Sequence, residues 1–197
     1  MNPLDALVAA SDRLVALLQP IASEFERATS LSAYRLAAFL YRACIFFMAG
    51  SALIGASRRI VFIAGLVQLG ANPWVFAPRL IKDGLFLAFC FLAKIFVDRW
   101  VVECGRLADK AECGSTPLGN SMREHPFHRA QSLFLIVIAA QEARWLFDLS
   151  PTLLGCFCDV ARALWPILGI LACHFHACQS APRSWRRRLR PILAQSY

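Results

Sequence analysis

Charge is scarce in this chain. Asp, Glu, Lys and Arg make up 17% of its 197 residues, against about a quarter in an ordinary soluble protein. A disordered chain needs high charge and low hydrophobicity, so that class is excluded. Acidic residues are the scarcer sign, 13 against 21 Lys and Arg, which leaves a formal net charge of +8. No Gly-rich phosphate loop, Gly-x-Ser-x-Gly elbow or His-Glu-x-x-His is present, so an enzyme of those kinds has no motif to rest on. No internal repeat is clear, which counts against a repeat-built transporter. Asp5 and Asp12 argue against a secretory signal, and together with Glu24 and Glu26 against a mitochondrial presequence. Gln195-Ser196-Tyr197 is neither a prenylation box nor a soluble peroxisomal address. Entry into a membrane through internal segments is the expectation.

What is present is apolar. Hydrophobic residues make up 58% and the mean hydropathy is +0.51. This is more apolar surface than one small core hides, and a bilayer is its natural sink. The basic balance then favours an anionic lipid surface over nucleic acid. Eight cysteines are present, but Cys44, Cys90, Cys156, Cys158 and Cys173 lie inside apolar segments, where a free thiol behaves as a small hydrophobe. Free thiols in a reducing compartment are expected.

Residues 2–28 read as an amphipathic helix, with Asn2 as cap and Pro3 at its first position. Leu4, Leu7, Val8, Leu14, Val15, Leu18 and Ile21 recur at helical spacing. Pro20 is expected to kink or divide it. This face either lies in a membrane interface or packs on neighbouring helices. Residues 43–57 and 60–78 carry no charge, and only Arg58-Arg59 separates them. Either one of them spans, or both belong to one long helix whose arginines snorkel to headgroups. Asn72-Pro73 is expected to end that helix. Residues 79–107 form the next helix, in which Lys94 can meet Asp98 and Arg99 can meet Glu103. Residues 108–126 read as a polar loop, and 127–149 as a helix. Ser150-Pro151 opens a new element, and the apolar stretch 153–181 contains the best single candidate for a span. After it, Trp185 with Arg183, Arg186, Arg187, Arg188 and Arg190 reads as a headgroup anchor on the untranslocated side.

Soft metal ligands crowd the last apolar segment, at Cys156, Cys158, Cys173, His174, His176 and Cys178. Helical spacing puts His174 and Cys178 on one face, and Cys173 and His176 on another. The four cannot meet on one ion without a break in the helix, so no metal and no cofactor are expected. His125 and His128 read as loop and cap residues.

The order of these features resembles the peroxin-11 family, which shapes the membranes of peroxisomes and glycosomes. The similarity is spread over most of the chain. It is carried by the Tyr- and Arg-containing helix from Tyr34 through Arg35 and Tyr41 to Arg42, and by Ser57-Arg58-Arg59. It continues through Asp98, Trp100 and Gly105, the apolar helix 127–149, and Cys158-Asp159 entering the last apolar segment. The early helix has fewer charges than is usual there, and Phe62 stands where a basic residue is common. The resemblance implies a non-enzymatic protein of the peroxisomal or glycosomal membrane. Such a protein would promote elongation, proliferation and fission by amphipathic helix insertion and self-association, in contact with the fission machinery.

The expectation is therefore an all-α, multi-helix membrane protein with one to three embedded helices. Its parts would be an N-terminal amphipathic helix (1–29), a helical membrane domain (30–182) and a basic tail (183–197). Its partners would be membrane lipid and further copies of itself, not nucleic acid. The membrane-interface residues would be Leu4, Leu7, Leu14, Leu18, Arg58, Arg59, Trp185, Arg186, Arg187 and Arg188. Two rival readings are a channel or carrier, with Arg42, Arg58, Arg59, Lys94 and Asp98 lining a lumen, and an accessory subunit of a larger membrane complex.

Overall fold

The structure, a computed structural model, describes residues 3–112, 126–147 and 149–178. All regular structure among them is helical. The chain runs through α1 (Pro3–Thr29), α2 (Ala33–Gln68), a 3₁₀ turn (Pro73–Phe76) and α3 (Ala77–Glu112). It continues through α4 (Pro126–Glu142), a second 3₁₀ turn (Ala143–Leu146) and α5 (Leu153–Ala177). Two helices, α2 and α5, are long and apolar enough to cross a membrane by length and composition.

Local chemistry explains the boundaries. α1 is one helix that runs through Pro20, so the proline does not divide it. Pro20 removes a single N–H from the ladder, and its own carbonyl accepts from the Ser23 hydroxyl at 2.8 Å. Ser32 begins α2 without capping it through its side chain. Glu26 of α1 takes that place, its Oε1 accepting from the Ala33 N–H at 2.7 Å, where a carboxylate also complements the helix dipole. Residues 43–68 form one unbroken helix across Arg58-Arg59. It stops because Gly70 adopts φ 89°. The Gly70 and Ala71 N–H groups then fold back on the carbonyls of Val67 and Leu66, both at 3.0 Å, a Schellman ending that favours glycine at this position. Asn72 caps the turn beyond, Oδ1 accepting from the Trp74 N–H at 3.0 Å.

Three further expectations need correction. The helix expected at 127–149 ends at Glu142 and passes into a 3₁₀ turn. Residues 108–112 are not loop but the last turn of α3, with Ala108 fully buried. Glu103 does not turn to Arg99 but to Arg106, one turn on, at 2.6 and 2.9 Å. The Lys94–Asp98 pair forms as expected, at 2.6 Å.

α5 is the hub. It packs along α2, against α4, and against α1. Tyr41 meets Cys173, and Gly55 meets Arg162, so α5 runs antiparallel to α2. α3 folds back along α2 in the same sense, with Arg35 bonded to Asp109 at 3.0 Å and Arg59 to Asp83. Gly169 lets the helices close. A β-carbon there would stand 2.9 Å from Leu135 Cδ1 and 3.3 Å from Cys44 Sγ. The core gathers Ala33, Tyr34, Ala37, Tyr41, Cys44 and Met48 of α2 against Trp165, Ala172, Cys173 and Phe175 of α5.

Candidate functional site

The core is lopsided. On α2 the buried residues end at Ala56, and on α3 they begin at Cys90. Between residues 57 and 89, all of them described, none is buried. Yet residues 60–78 contain no charge. Val61 is 73% exposed, Phe62 62%, Leu69 84%, Trp74 80% and Val75 70%. Apolar residues are distributed around α2 rather than along one stripe. A helix that is hydrophobic all round belongs inside a large core or a membrane. Here much of that surface has no protein neighbour.

Cations stand at the base of this apolar end. Arg58 and Arg59 close the charged part of α2, and Lys82 and Arg79 open α3 beside them. Arg59 is held by a carboxylate of α3. Its Nε donates to Asp83 Oδ2 at 2.5 Å and its Nη2 to Asp83 Oδ1 at 2.6 Å. Such a two-pronged fork is the strongest form of the pair. It pins α2 to α3 at the point where their buried contacts run out.

A cavity of about 840 Å³ opens beside this clamp. Arg59, Arg79, Lys82, Arg144 and Arg162 line it, with Asp83 and Glu142 as its carboxylates. Its apolar wall includes Phe86, Phe89, Phe134, Ile138 and Trp165, and the rings of Phe86 and Phe89 stack with centroids 6.2 Å apart. Gly55 forms part of the architecture behind it. A β-carbon there would lie 3.0 Å from Arg162 Nη2 and 3.5 Å from Arg59 Nη2, so two guanidinium groups converge over that glycine.

The opposite end of the bundle is polar inside and closed. Tyr41 is 1% exposed, and its hydroxyl donates to Cys173 Sγ at 3.6 Å. His176 sits edge-on between Tyr34 and Trp100, with centroids 5.5 and 5.6 Å away. His174 bonds through Nδ1 to the Ile170 carbonyl at 2.6 Å and through Nε2 to Ser11 Oγ at 3.1 Å. This serine–histidine pair docks α1 on α5. Ser11 lies mid-helix, where the neighbouring N–H groups are spent on the helix ladder, so no backbone donor is left beside it for a developing oxyanion. Burial, with help from the neighbouring Glu103 charge, pushes the Cys104 thiol up to about 12, so it stays protonated and inert. The Arg106 hydrogen bond holds the Glu103 carboxyl below its usual range. That stabilisation is present above the ordinary carboxylate pKa and is lost as pH falls through the lowered one.

The other residues expected from sequence divide into several groups. Leu18 is buried and Leu14 half-buried against the core. Both therefore pack against protein, and among the described residues Leu17 and Ile21 are exposed large apolar side chains of α1. Arg58 is exposed, Gly105 has open space around it, and Asp98 holds Lys94 on the surface. Asp159 is 4% exposed and accepts from the Ser150 N–H at 2.9 Å and the Ser150 hydroxyl at 2.7 Å. Arg42, Arg58, Arg59, Lys94 and Asp98 are strung along the α2–α3 hairpin instead of gathering at one point, and Arg59 and Lys94 are each committed to a carboxylate. The side chains of Leu4 and Leu7, and Trp185, Arg186, Arg187 and Arg188, lie outside the described residues. Among the described residues no three of His, Cys, Asp or Glu come together to hold a metal ion, and seven cysteines are free thiols. The residue pattern alone names neither the Asp83 partner of Arg59 nor the cavity. A signal for the first exists, because Arg59 and Asp83 are equidistant from Ala71, beside the expected Asn72-Pro73 stop.

The chain matches no protein-family model, no curated protein and no solved structure.

Proposed function

We propose that this is a non-enzymatic membrane-shaping protein whose α2–α3 hairpin acts as a wedge. One observation carries the reading. The hairpin end at 57–89 has no buried residue, has an uncharged apolar tip, and is ringed at its base by Arg58, Arg59, Arg79 and Lys82. Apolar surface with a basic margin matches the layering of a leaflet, hydrocarbon beneath anionic headgroups. The depth agrees as well. The nine α2 residues past Arg59 rise about 13 Å at 1.5 Å each, close to the roughly 15 Å of hydrocarbon in one leaflet. A wedge of that depth expands one leaflet and not the other, which favours curvature.

Only a third of the apolar window of α2 and half of that of α5 is buried inside the chain, so apolar flanks also remain for contacts between copies. Self-association would concentrate the bending. The peroxisomal or glycosomal membrane, and a part in the elongation and fission of those organelles, rest on the resemblance to the peroxin-11 family alone.

The test is vesicle binding and reshaping. The full chain is added to anionic liposomes, beside a variant with Trp74→Glu and Val75→Glu. The wild-type chain is expected to float with the liposomes and draw them into tubules. The variant places two charges at an exposed tip, far from the core, and is expected to keep its helicity and lose both effects. Tubulation by the variant at wild-type level would overturn the wedge.

A further inference from the structure

The chain makes two apolar excursions from the walls of one cavity. Arg59, Arg79, Arg144 and Arg162 all line the cavity beside the Arg59–Asp83 clamp. The first excursion, residues 60–78, runs from Arg59 to Arg79 and is the hairpin tip. The second, residues 145–161, runs from Arg144 to Arg162 and turns the corner from α4 into α5. Its only charged residues are Asp148 and Asp159. Asp148 lies outside the described residues. Asp159 is buried and bonded to the N–H and hydroxyl of Ser150, so its carboxylate is turned into the corner. What the corner turns outward is apolar. Phe147 and Leu153 are each 91% exposed, and Leu146, Leu149 and Leu154 are exposed in the same corner. Residues 149–158 carry no charge at all. A single exposed leucine is ordinary on a protein, but large apolar side chains gathered at one place mark a contact.

The bundle does not cover this patch, and its continuity with the hairpin end says what does. The corner leaves from and returns to the same cavity walls as the hairpin tip, so a leaflet that receives one lies within reach of the other. We infer that the α4–α5 corner is a second, shallow membrane contact, with Phe147 and Leu153 set in the same leaflet as the hairpin end. This contact rests on the wedge reading for the presence of a bilayer at that end. Short apolar elements settle at the boundary of headgroups and acyl chains, a level that also tolerates the carboxylates of this stretch better than hydrocarbon does. Contacts on both sides of the cavity would fix the tilt of the bundle over the membrane, which one inserted hairpin leaves free.

The full chain is bound to phosphatidylcholine vesicles containing phosphatidylserine, with bromines at stepped depths along the acyl chains. Phe147→Gln combined with Leu153→Gln removes apolar area without adding charge. This variant is expected to keep its helicity and to bind the vesicles about tenfold more weakly. Leu153→Trp adds an indole at the corner, and its fluorescence is read as the difference from the wild-type chain. That indole is expected to be quenched, most strongly by the bromines nearest the headgroup. An indole left unquenched on vesicles that carry the chain would overturn the proposal and assign the corner to a protein contact. So would a folded Gln variant that binds like wild type. Trp74, read in the same vesicles through Trp74→Phe, reports the hairpin separately. A quenched corner beside an unquenched Trp74 would remove the wedge and keep the corner, and the reverse result would remove the corner and keep the wedge.

Discussion

Asp159 is the residue whose surroundings say most about its work. It is a carboxylate inside the most apolar helix of the chain, and both of its described bonds go to Ser150, nine residues back. Gly155 lies in the same corner, where a β-carbon would come within 2.4 Å of Ser150 Cβ. Thr152 completes the corner, its Oγ1 accepting from the Gly155 N–H at 3.2 Å. Asp159 therefore fixes the bend that leads into α5. Asp159→Ala is expected to destabilise the fold by about 1–3 kcal/mol, because it strands the Ser150 donors. Asp159→Asn keeps an acceptor and is expected to cost less. Unfolding in mild detergent, followed by helicity, compares the three proteins, and equal stability of Asp159→Ala and wild type would remove this role. The sequence marks Asp159 as part of a Cys-Asp element but is silent on Ser150, because a bend is set by several weak local preferences at once. Leu14 and Leu18 illustrate the same limit. Helical spacing shows that they share a face, and only packing shows that Leu18 is buried and Leu14 half-buried against the core.

At the scale of elements, most helices are legible because periodicity, Pro and Gly are local signals. Gly70 and Asn72-Pro73 end α2 where turn chemistry places the stop. The end of α3 is not legible, because 108–112 is held in helix by burial of Ala108, a long-range effect. The hairpin register follows the same logic. Arg59 and Asp83 are 24 residues apart, centred on Ala71, and Arg35 and Asp109 are 74 apart, centred on Asn72. One antiparallel register satisfies both pairs. Only the inner pair is sheltered, with the Asp83 side chain 15% exposed against 70% for Asp109. The inner pair is therefore expected to carry the energy and the outer one almost none. Asp83→Asn and Arg59→Gln are each expected to cost about 1–2 kcal/mol. The double variant is expected to cost less than their sum, a coupling of about 1 kcal/mol in a double-mutant cycle. The same cycle on Arg35 and Asp109 is expected to give a value within error of zero. Strict additivity at Arg59 and Asp83 would mean that the clamp does not hold the hairpin.

For the whole molecule, the decisive quantity is how deep the hairpin end goes. The chain has a compact polar-lined end, where Tyr41, His174 and His176 are buried, and an apolar end where nothing is. A helix crossing the full bilayer would carry the tip to the far headgroups, and the Arg59–Asp83 pair would then lie within hydrocarbon. That is costly even for a bonded pair, since two charges must leave water. A wedge in one leaflet keeps the pair at the headgroup layer and puts Trp74 near the bilayer midplane. The two geometries therefore separate by the position of a single indole. Brominated phospholipids, with the bromines at stepped depths along the acyl chain, quench tryptophan by contact. The quenching lost on Trp74→Phe isolates Trp74 from the other four tryptophans. Loss is expected to be greatest for bromines near the chain ends and small for those near the headgroup. Greatest loss for shallow bromines, combined with modification of a Leu69→Cys tip from the opposite side of a sealed vesicle, would establish a span. Curvature would then have no source in the hairpin, because a spanning hairpin displaces both leaflets about equally.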